Sequence, residues 1–185
     1  MKSGFRHPDR FCRTAEETDI LPDMTSVNAR EQAANEGKDL RTFHIGDADI
    51  DVDIGKTRQL TAGLSNPTDD CCCAGCRNFV LAASAFPAEA QNFFSQLGMD
   101  INRPAEIYAL YAENEGKALH YGGFWHLVGS FRGSCGDLTL FPLCKSFSAG
   151  FTDEISLPGE GHPAPTLQLE ADFTLPWVLD EKNPY

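Results

Sequence analysis

The chain has 185 residues, of which 42% are hydrophobic, so it is long enough to form one domain with a sizeable core. It carries 15 Lys and Arg against 27 Asp and Glu, which gives a net charge of −12. Nucleic acids and anionic membrane surfaces bind clusters of cations, so this balance argues against both as partners. A basic partner protein remains an electrostatic candidate, and solubility is the simpler explanation of the charge.

The sequence shows no secretory signal and no apolar run long enough to span a membrane. Its seven cysteines are an odd number, and four of them are crowded between positions 71 and 76. Cysteines so close together rarely meet the geometry of a disulfide, which argues against a secreted disulfide framework. We therefore expect the protein in a reducing cytoplasm.

Residues 1–40 differ from the rest of the chain, because they contain few large apolar side chains and a mixture of both charges. A helix is expected over Ser26–Lys38, which a polar residue can cap at its start and a glycine can end. We interpret 1–40 as a loosely attached arm with one helix, and 41–185 as a single α+β domain.

An alternating acidic segment opens the predicted domain between His44 and Lys56. Apolar residues at positions 48, 50, 52 and 54 alternate there with aspartates at 47, 49, 51 and 53. A period of two predicts a half-buried strand with an acidic outer face. A calcium-binding loop would need Gly at its sixth position and Glu at its twelfth, and this segment has neither.

Two helices are predicted in the middle of the chain. The first should be capped by Asp69 or Asp70 and run to about Ala85, with a buried face made of Cys72, Cys76, Phe79, Val80 and Ala83. The second should begin at Pro87 and end at Gly98, with an apolar face made of Ala90, Phe93, Phe94 and Leu97.

The second half of the domain is typical of β-structure. Strands are predicted over Ile107–Tyr111, Tyr121–Phe131, Phe147–Ile155 and Leu167–Trp177, the last with the clearest alternation of apolar and polar residues. Helices gathered between strands indicate an α+β fold, in which an antiparallel sheet is covered on one face by the two central helices.

Cys71, Cys73 and Cys76 form a C-x-C-x-x-C pattern, which is the most unusual chemical feature of the sequence. Thiolates bind zinc, so these residues are candidate ligands of a structural zinc ion. A fourth ligand would come from a distant position: Cys135, Cys144, His120 or His126. Thiols at a helix start are also reactive, which would suit a redox enzyme. The third interpretation is that the cysteines are small, buried residues of a packed helix.

Arg77 and Asn78 follow this pattern directly. Their positions point away from the predicted apolar face of the helix, so we expect them at the solvent or at the sheet edge. An arginine beside several cysteines could also stabilise a thiolate or bind an anion at the helix start.

His120 and His126 lie on the same side of a predicted strand. With Ser134 or Cys135 as nucleophile and Asp137 as a third member, they can be arranged into a hydrolytic site. The G-x-S-x-G motif of such enzymes is absent, however, and ordinary, partly buried histidines are the simpler interpretation.

Three segments carry a resemblance to a known family: C-x-x-C-R-N-F at Cys73–Phe79, F-P-x-x-x-x-x-F-F-x-x-L-G at Phe86–Gly98, and P-W-V-L-D-E at Pro176–Glu181. The chain resembles a family of small bacterial proteins of unassigned function, which have a C-x-C-x-x-C-R-N-F segment and a terminal strand ending in P-W. The resemblance covers about residues 42–181 and implies one compact domain, but no reaction. Cys72 is an addition to the family pattern.

No cofactor fingerprint, phosphate-binding loop or complete catalytic constellation is visible in the sequence. The leading hypothesis is therefore a non-enzymatic, cytoplasmic binding or accessory protein of bacterial type, which acts on a protein partner as immunity proteins and antitoxins do. The alternatives are a zinc-binding protein that uses Cys71, Cys73 and Cys76, and a thiol-dependent redox enzyme that uses Cys73 or Cys76.

Overall fold

The computed structural model describes residues 39–185 except 46, 47, 135, 136 and 160. Within these residues the chain forms a seven-stranded antiparallel sheet and several helices, which confirms the α+β prediction. The strands are β1 (Leu40–Ile45), β2 (Ala48–Asp53), β3 (Glu106–Glu113), β4 (Ala118–Phe131), β5 (Phe141–Cys144), β6 (Phe147–Thr152) and β7 (Thr166–Pro176). The helices are α1 (Ile54–Ala62), the short α2 (Pro67–Asp70), α3 (Ala74–Ala82) and α4 (Ala88–Gln96).

The predicted arm and its helix over Ser26–Lys38 lie outside the described residues, apart from 39 and 40, and stay a prediction. All the described residues belong to one compact unit of the chain. In this part of the chain, no helix has the length and apolar character that crossing a membrane would require.

Strand β4 is the centre of the sheet, because three other strands pair with it, all antiparallel. Strand β7 runs along one edge of β4 from Ala118 to Val128. On the other edge, β3 pairs with 118–124 and β2 pairs with 129–131. Strand β1 extends the sheet beyond β2, and β6 and β5 extend it beyond β7. Strand β4 has fourteen residues, which is long enough to pair with β3 and β2 end to end along one edge.

The acidic segment forms a strand that is shorter than predicted, because the chain enters helix α1 at Ile54. Ile50 and Val52 are fully buried, as the alternation predicted. Asp53 is the N-cap of α1, where its side chain accepts a hydrogen bond of 2.9 Å from the backbone N–H of Lys56. The sequence pattern did not predict helix α1, because this segment has few apolar residues and directly follows the alternating pattern of a strand.

The core lies between the helices and one face of the sheet. Helix α4 confirms the predicted helix: Pro87 is its N-cap and Gly98 follows its end with a φ of +78°. The ring of Phe94 from α4 meets Trp125 of β4 edge to face at a centroid distance of 5.0 Å. Phe86, which follows α3, packs on Phe173 of β7 at 5.2 Å. Such pairs add about 0.5–1.5 kcal/mol each beyond the burial of their area, so they join the helices firmly to the sheet.

Replacing Phe94 with Ala is expected to lower the free energy of unfolding by about 3–5 kcal/mol, because a fully buried ring is lost and a cavity remains. The control is Leu81→Ala on α3, whose side chain is 63% exposed, and it should change stability by less than about 0.5 kcal/mol. Urea unfolding followed by circular dichroism measures both. Equal losses of unfolding free energy in the two variants would contradict the burial of Phe94 in the core.

A three-cysteine candidate metal centre

The cysteines lie where α2 gives way to α3, and here the prediction of one continuous helix is wrong. Asp69 is not a cap of the cysteine helix: its side chain accepts a 2.8 Å hydrogen bond from the backbone N–H of Asn66, at the start of α2. The backbone is then extended at Cys71 and again at Cys73, which is the N-cap of α3. Pro67 at the first position of α2, with the reach-back contact of a capping box, starts a helix earlier than the pattern suggested.

The extended residues between the two helices bring three thiols together. The Sγ atoms of Cys71, Cys73 and Cys76 all lie within 4.8 Å of one another. The sulfur of Cys73 also accepts a hydrogen bond of 3.4 Å from the backbone N–H of Cys76. Cys71 and Cys73 are exposed and Cys76 is buried. The three residues that the sequence nominated as metal ligands thus form a cluster that could hold a metal ion, which we call the three-cysteine cluster.

Cys72 does not share the buried face of the helix with Cys76, so that prediction is wrong. Its side chain is exposed, and Val80, predicted on the same face, is 37% exposed. Because the backbone is extended at Cys71 and Cys73, helical spacing does not relate Cys72 to Cys76. The buried side of α3 consists of Gly75, Cys76, Asn78, Phe79 and Ala82.

The thiols of the cluster differ in their affinity for protons. Burial acts to raise the pKa of Cys73, but hydrogen bonds from the Cys76 backbone and from the side chains of Cys71, Cys76 and Tyr185 hold this pKa below its ordinary value. Burial raises the pKa of Cys76 well above the ordinary value, and the sulfurs of Cys73 and Cys71 raise it further. The Cys73 thiol therefore ionises more easily than that of Cys76, and it caps the N-terminus of the nine-residue helix α3, where negative charge is favoured.

Asn78 was expected at the solvent or a sheet edge, but it is fully buried. Its Nδ2 group donates to the Tyr121 hydroxyl at 3.0 Å and to the Pro176 carbonyl at 3.1 Å. Its Oδ1 accepts from the backbone N–H of Val178 at 2.8 Å. The amide thereby fixes α3 to strand β4 and to the segment after β7, a role that helical spacing alone could not reveal.

Arg77 contacts the same C-terminal segment. Its guanidinium forms an ion pair with Glu181 and donates to the Cys72 carbonyl oxygen at 2.5 Å. The indole N–H of Trp177 donates to the carbonyl oxygen of Glu181 at 2.7 Å. The C-R-N-F and P-W-V-L-D-E segments that carried the family resemblance are therefore in direct contact beside the cysteines.

The candidate histidines lie on the other face of the sheet, because they alternate along β4 with the core residue Tyr121. His120 places Nε2 at 2.5 Å from Oδ1 of Asp172 and Nδ1 at 3.0 Å from Oγ1 of Thr174. Its ring stacks on Tyr111 at 4.6 Å. Both ring nitrogens have partners, and the carboxylates beside His120 are Asp172 and Glu113 rather than the predicted Asp137.

His126 is buried, with Nε2 at 3.2 Å from Oε1 of Gln168 and its ring edge-on to His162 at 4.8 Å. Burial lowers the pKa of His126, the Gln168 contact opposes this, and the nearby His162 adds to the lowering. Ser134 and Asp137 are exposed, and Cys135 lies outside the described residues. Among the described residues, neither Ser134 nor Asp137 pairs with either histidine, and neither histidine joins the cysteines. The version of the hydrolytic site that uses Cys135 stays a prediction.

Because the folded protein resists protonation of His126, stability should fall as the pH drops below about 6.5, the ordinary pKa of histidine in the unfolded chain. In that range the unfolded chain binds more protons than the folded one. His126→Gln should weaken this dependence. Urea unfolding of both proteins at pH 7.5 and pH 5.5 provides the measurement, and an equal loss in wild type and variant would contradict the assignment.

No protein-family model matches the chain, and comparisons with curated proteins and with solved structures give no match. The resemblance to the bacterial family therefore stays a prediction, and any functional conclusion depends on the three-cysteine cluster itself.

Proposed function

We propose that the protein binds a soft metal ion, zinc foremost, through the thiolates of Cys71, Cys73 and Cys76. The observation that carries this proposal is the separation of at most 4.8 Å between their three sulfur atoms. A Zn–S bond is about 2.3 Å long, so sulfurs around one tetrahedral zinc ion lie about 3.8 Å apart. A shift of about 1 Å, which side-chain rotation of the exposed Cys71 and Cys73 can supply, closes the difference.

The electrostatics of the cluster also favour a cation. Burial and the sulfurs of Cys73 and Cys71 together oppose ionisation of Cys76, and a cation bound among the three sulfurs would offset this repulsion. A divalent ion displaces the thiol protons and leaves a net charge of one negative unit. That residual charge lies at the N-terminus of α3, where backbone N–H groups and the helix dipole stabilise it.

The number of ligands suggests which kind of metal site this is. Structural zinc sites have four protein ligands, whereas sites with three leave a position for water or another molecule. Among the described residues, no fourth cysteine, histidine or carboxylate joins the cluster. The described residues therefore supply three thiolates, and a fourth ligand would be a water, another molecule or a residue outside the described part of the chain, such as the predicted Cys135.

Protein purified without chelator is expected to contain one zinc ion per chain by inductively coupled plasma mass spectrometry. Separate Cys→Ser changes at 71, 73 and 76 should each reduce this content to a small fraction, because a two-thiolate site binds zinc far more weakly. The matched controls are Cys72→Ser, next to the cluster, and Cys144→Ser on β5, and both should keep the metal.

Addition of Co²⁺ to metal-free protein gives a second readout, because thiolate ligands produce an intense sulfur-to-cobalt charge-transfer band. Substoichiometric metal in the wild type, together with no such band at saturating Co²⁺, would overturn the proposal. Loss of metal in the Cys72 or Cys144 control would show that the ligands are assigned wrongly.

A thiol–disulfide exchange activity is the second candidate, because an exposed Cys73 with a lowered pKa lies beside a buried Cys76 in a C-x-x-C pair. In this reaction the Cys73 thiolate attacks a substrate disulfide, a mixed disulfide forms and one substrate thiolate leaves. The Cys76 thiol then loses its proton and attacks the Cys73 sulfur, which releases the second substrate thiol. The protein dithiol is oxidised and the substrate disulfide is reduced.

Oxidised glutathione tests this second candidate on metal-free protein. A Cys73–Cys76 disulfide should form in wild type and in Cys71→Ser, whereas Cys76→Ser should stop at a glutathione adduct on Cys73. Mass spectrometry of tryptic peptides identifies these products. If the wild type only accumulates glutathione adducts, the exchange activity is rejected and the metal-binding proposal is unaffected.

A further inference from the structure

The segment that follows β7 turns back over the start of α3 and ends beside the cysteines. The side chain of Asn78 holds the segment at Pro176 and Val178, and the Arg77–Glu181 ion pair holds it further on. Nearer the end, the Nδ2 group of Asn183 donates to the carbonyl oxygens of Gly116 at 3.3 Å and Ala118 at 3.2 Å. These contacts fix the path of the backbone that carries Tyr185.

The phenol of Tyr185 lies against the first turn of α3. Its hydroxyl oxygen accepts a hydrogen bond of 3.1 Å from the backbone N–H of Gly75, which lies between Cys73 and Cys76 in the sequence. A Cβ atom at Gly75 would lie 2.9 Å from this oxygen and 2.9 Å from the Cβ of Ala109. A glycine at this position is thus what allows the hydroxyl to approach the helix start.

The hydroxyl therefore lies beside the helix start that Cys73 caps, and it is one of the groups that lower the pKa of the Cys73 thiol. Because the oxygen already accepts from Gly75, its own proton is free to point at that sulfur. Burial raises the pKa of Tyr185, and this is the largest effect. The hydrogen bond from Gly75 lowers the pKa, and the neighbouring Cys73 raises it further. An ordinary phenol is protonated at neutral pH, so a hydroxyl whose oxygen accepts from Gly75 has a proton to donate to a neighbouring sulfur.

We propose that Tyr185 is a positioning residue of the metal centre: its hydroxyl donates a hydrogen bond to the Cys73 sulfur, orients that ligand and strengthens metal binding. The inference rests on the proposed metal-binding function. Partners of this kind, which contact a ligand rather than the metal, commonly change metal affinity by about 10–100-fold. The three-cysteine cluster would then depend on Tyr185, which lies 110 positions after Gly75 in the sequence.

Tyr185→Phe tests the inference, because it keeps the ring and removes only the hydroxyl. Zinc affinity, measured by competition with a chromogenic chelator, should fall about 10–100-fold. In the Co²⁺-loaded variant, the sulfur-to-cobalt band should move to longer wavelength, because a sulfur without its hydrogen-bond donor gives up electrons more easily. A purely structural role for the tyrosine would not move this band.

Tyr111→Phe is the matched control, since that phenol stacks on His120 on the other face of the sheet, and both readouts should match the wild type. Circular dichroism shows whether each variant is folded. If the wild type binds metal through the three cysteines and Tyr185→Phe keeps both its affinity and its spectrum, the inference about Tyr185 fails and the metal site stands. If the wild type binds no metal, the proposed function itself fails.

Discussion

The buried amide of Asn78 is the contact on which the arrangement around the cysteines depends. It bonds at once to the Tyr121 hydroxyl on β4, to the Pro176 carbonyl and to the Val178 N–H. Leaving a buried polar group unpaired costs about 1–3 kcal/mol, so all three bonds favour a single placement of helix, strand and tail. Tyr121 extends this network, because its hydroxyl donates to the carbonyl oxygen of Gly75 at 3.0 Å. The start of α3 is thereby fixed from both the sheet and the C-terminal segment.

A fixed helix start explains how three cysteines can form a site although they do not lie on one helical face. Cys76 belongs to the helix and is buried, Cys73 caps it, and Cys71 approaches from the extended segment before it. Their sulfurs converge because the chain changes from extended to helical between them. The same change directs the backbone N–H of Cys76 at the Cys73 sulfur, whereas the N–H of Gly75 donates to the Tyr185 hydroxyl. Negative charge is favoured at this point by the direction of the helix.

The sheet separates two kinds of chemistry. On the helix-covered face, burial and crowding leave the thiols with different proton affinities. On the other face, the two ring nitrogens of His120 contact Asp172 and Thr174, and Nε2 of His126 contacts Gln168. His120 and His126 thus form hydrogen bonds with polar side chains of the sheet, whereas the thiols of Cys71, Cys73 and Cys76 lie close to one another.

The sequence by itself determined the α+β class, helix α4 and the alternation of β7, because these depend on local periodicity and on residues such as Pro87 and Gly98. It also named Cys71, Cys73 and Cys76. Only the tertiary structure decided that α2 and α3 are separate helices and that Cys72 is exposed. It alone brought Tyr185 to the cluster and buried Asn78, since both depend on contacts between residues that are far apart in the chain. Local patterns specify which face of an element is apolar, but only packing specifies which distant groups meet there.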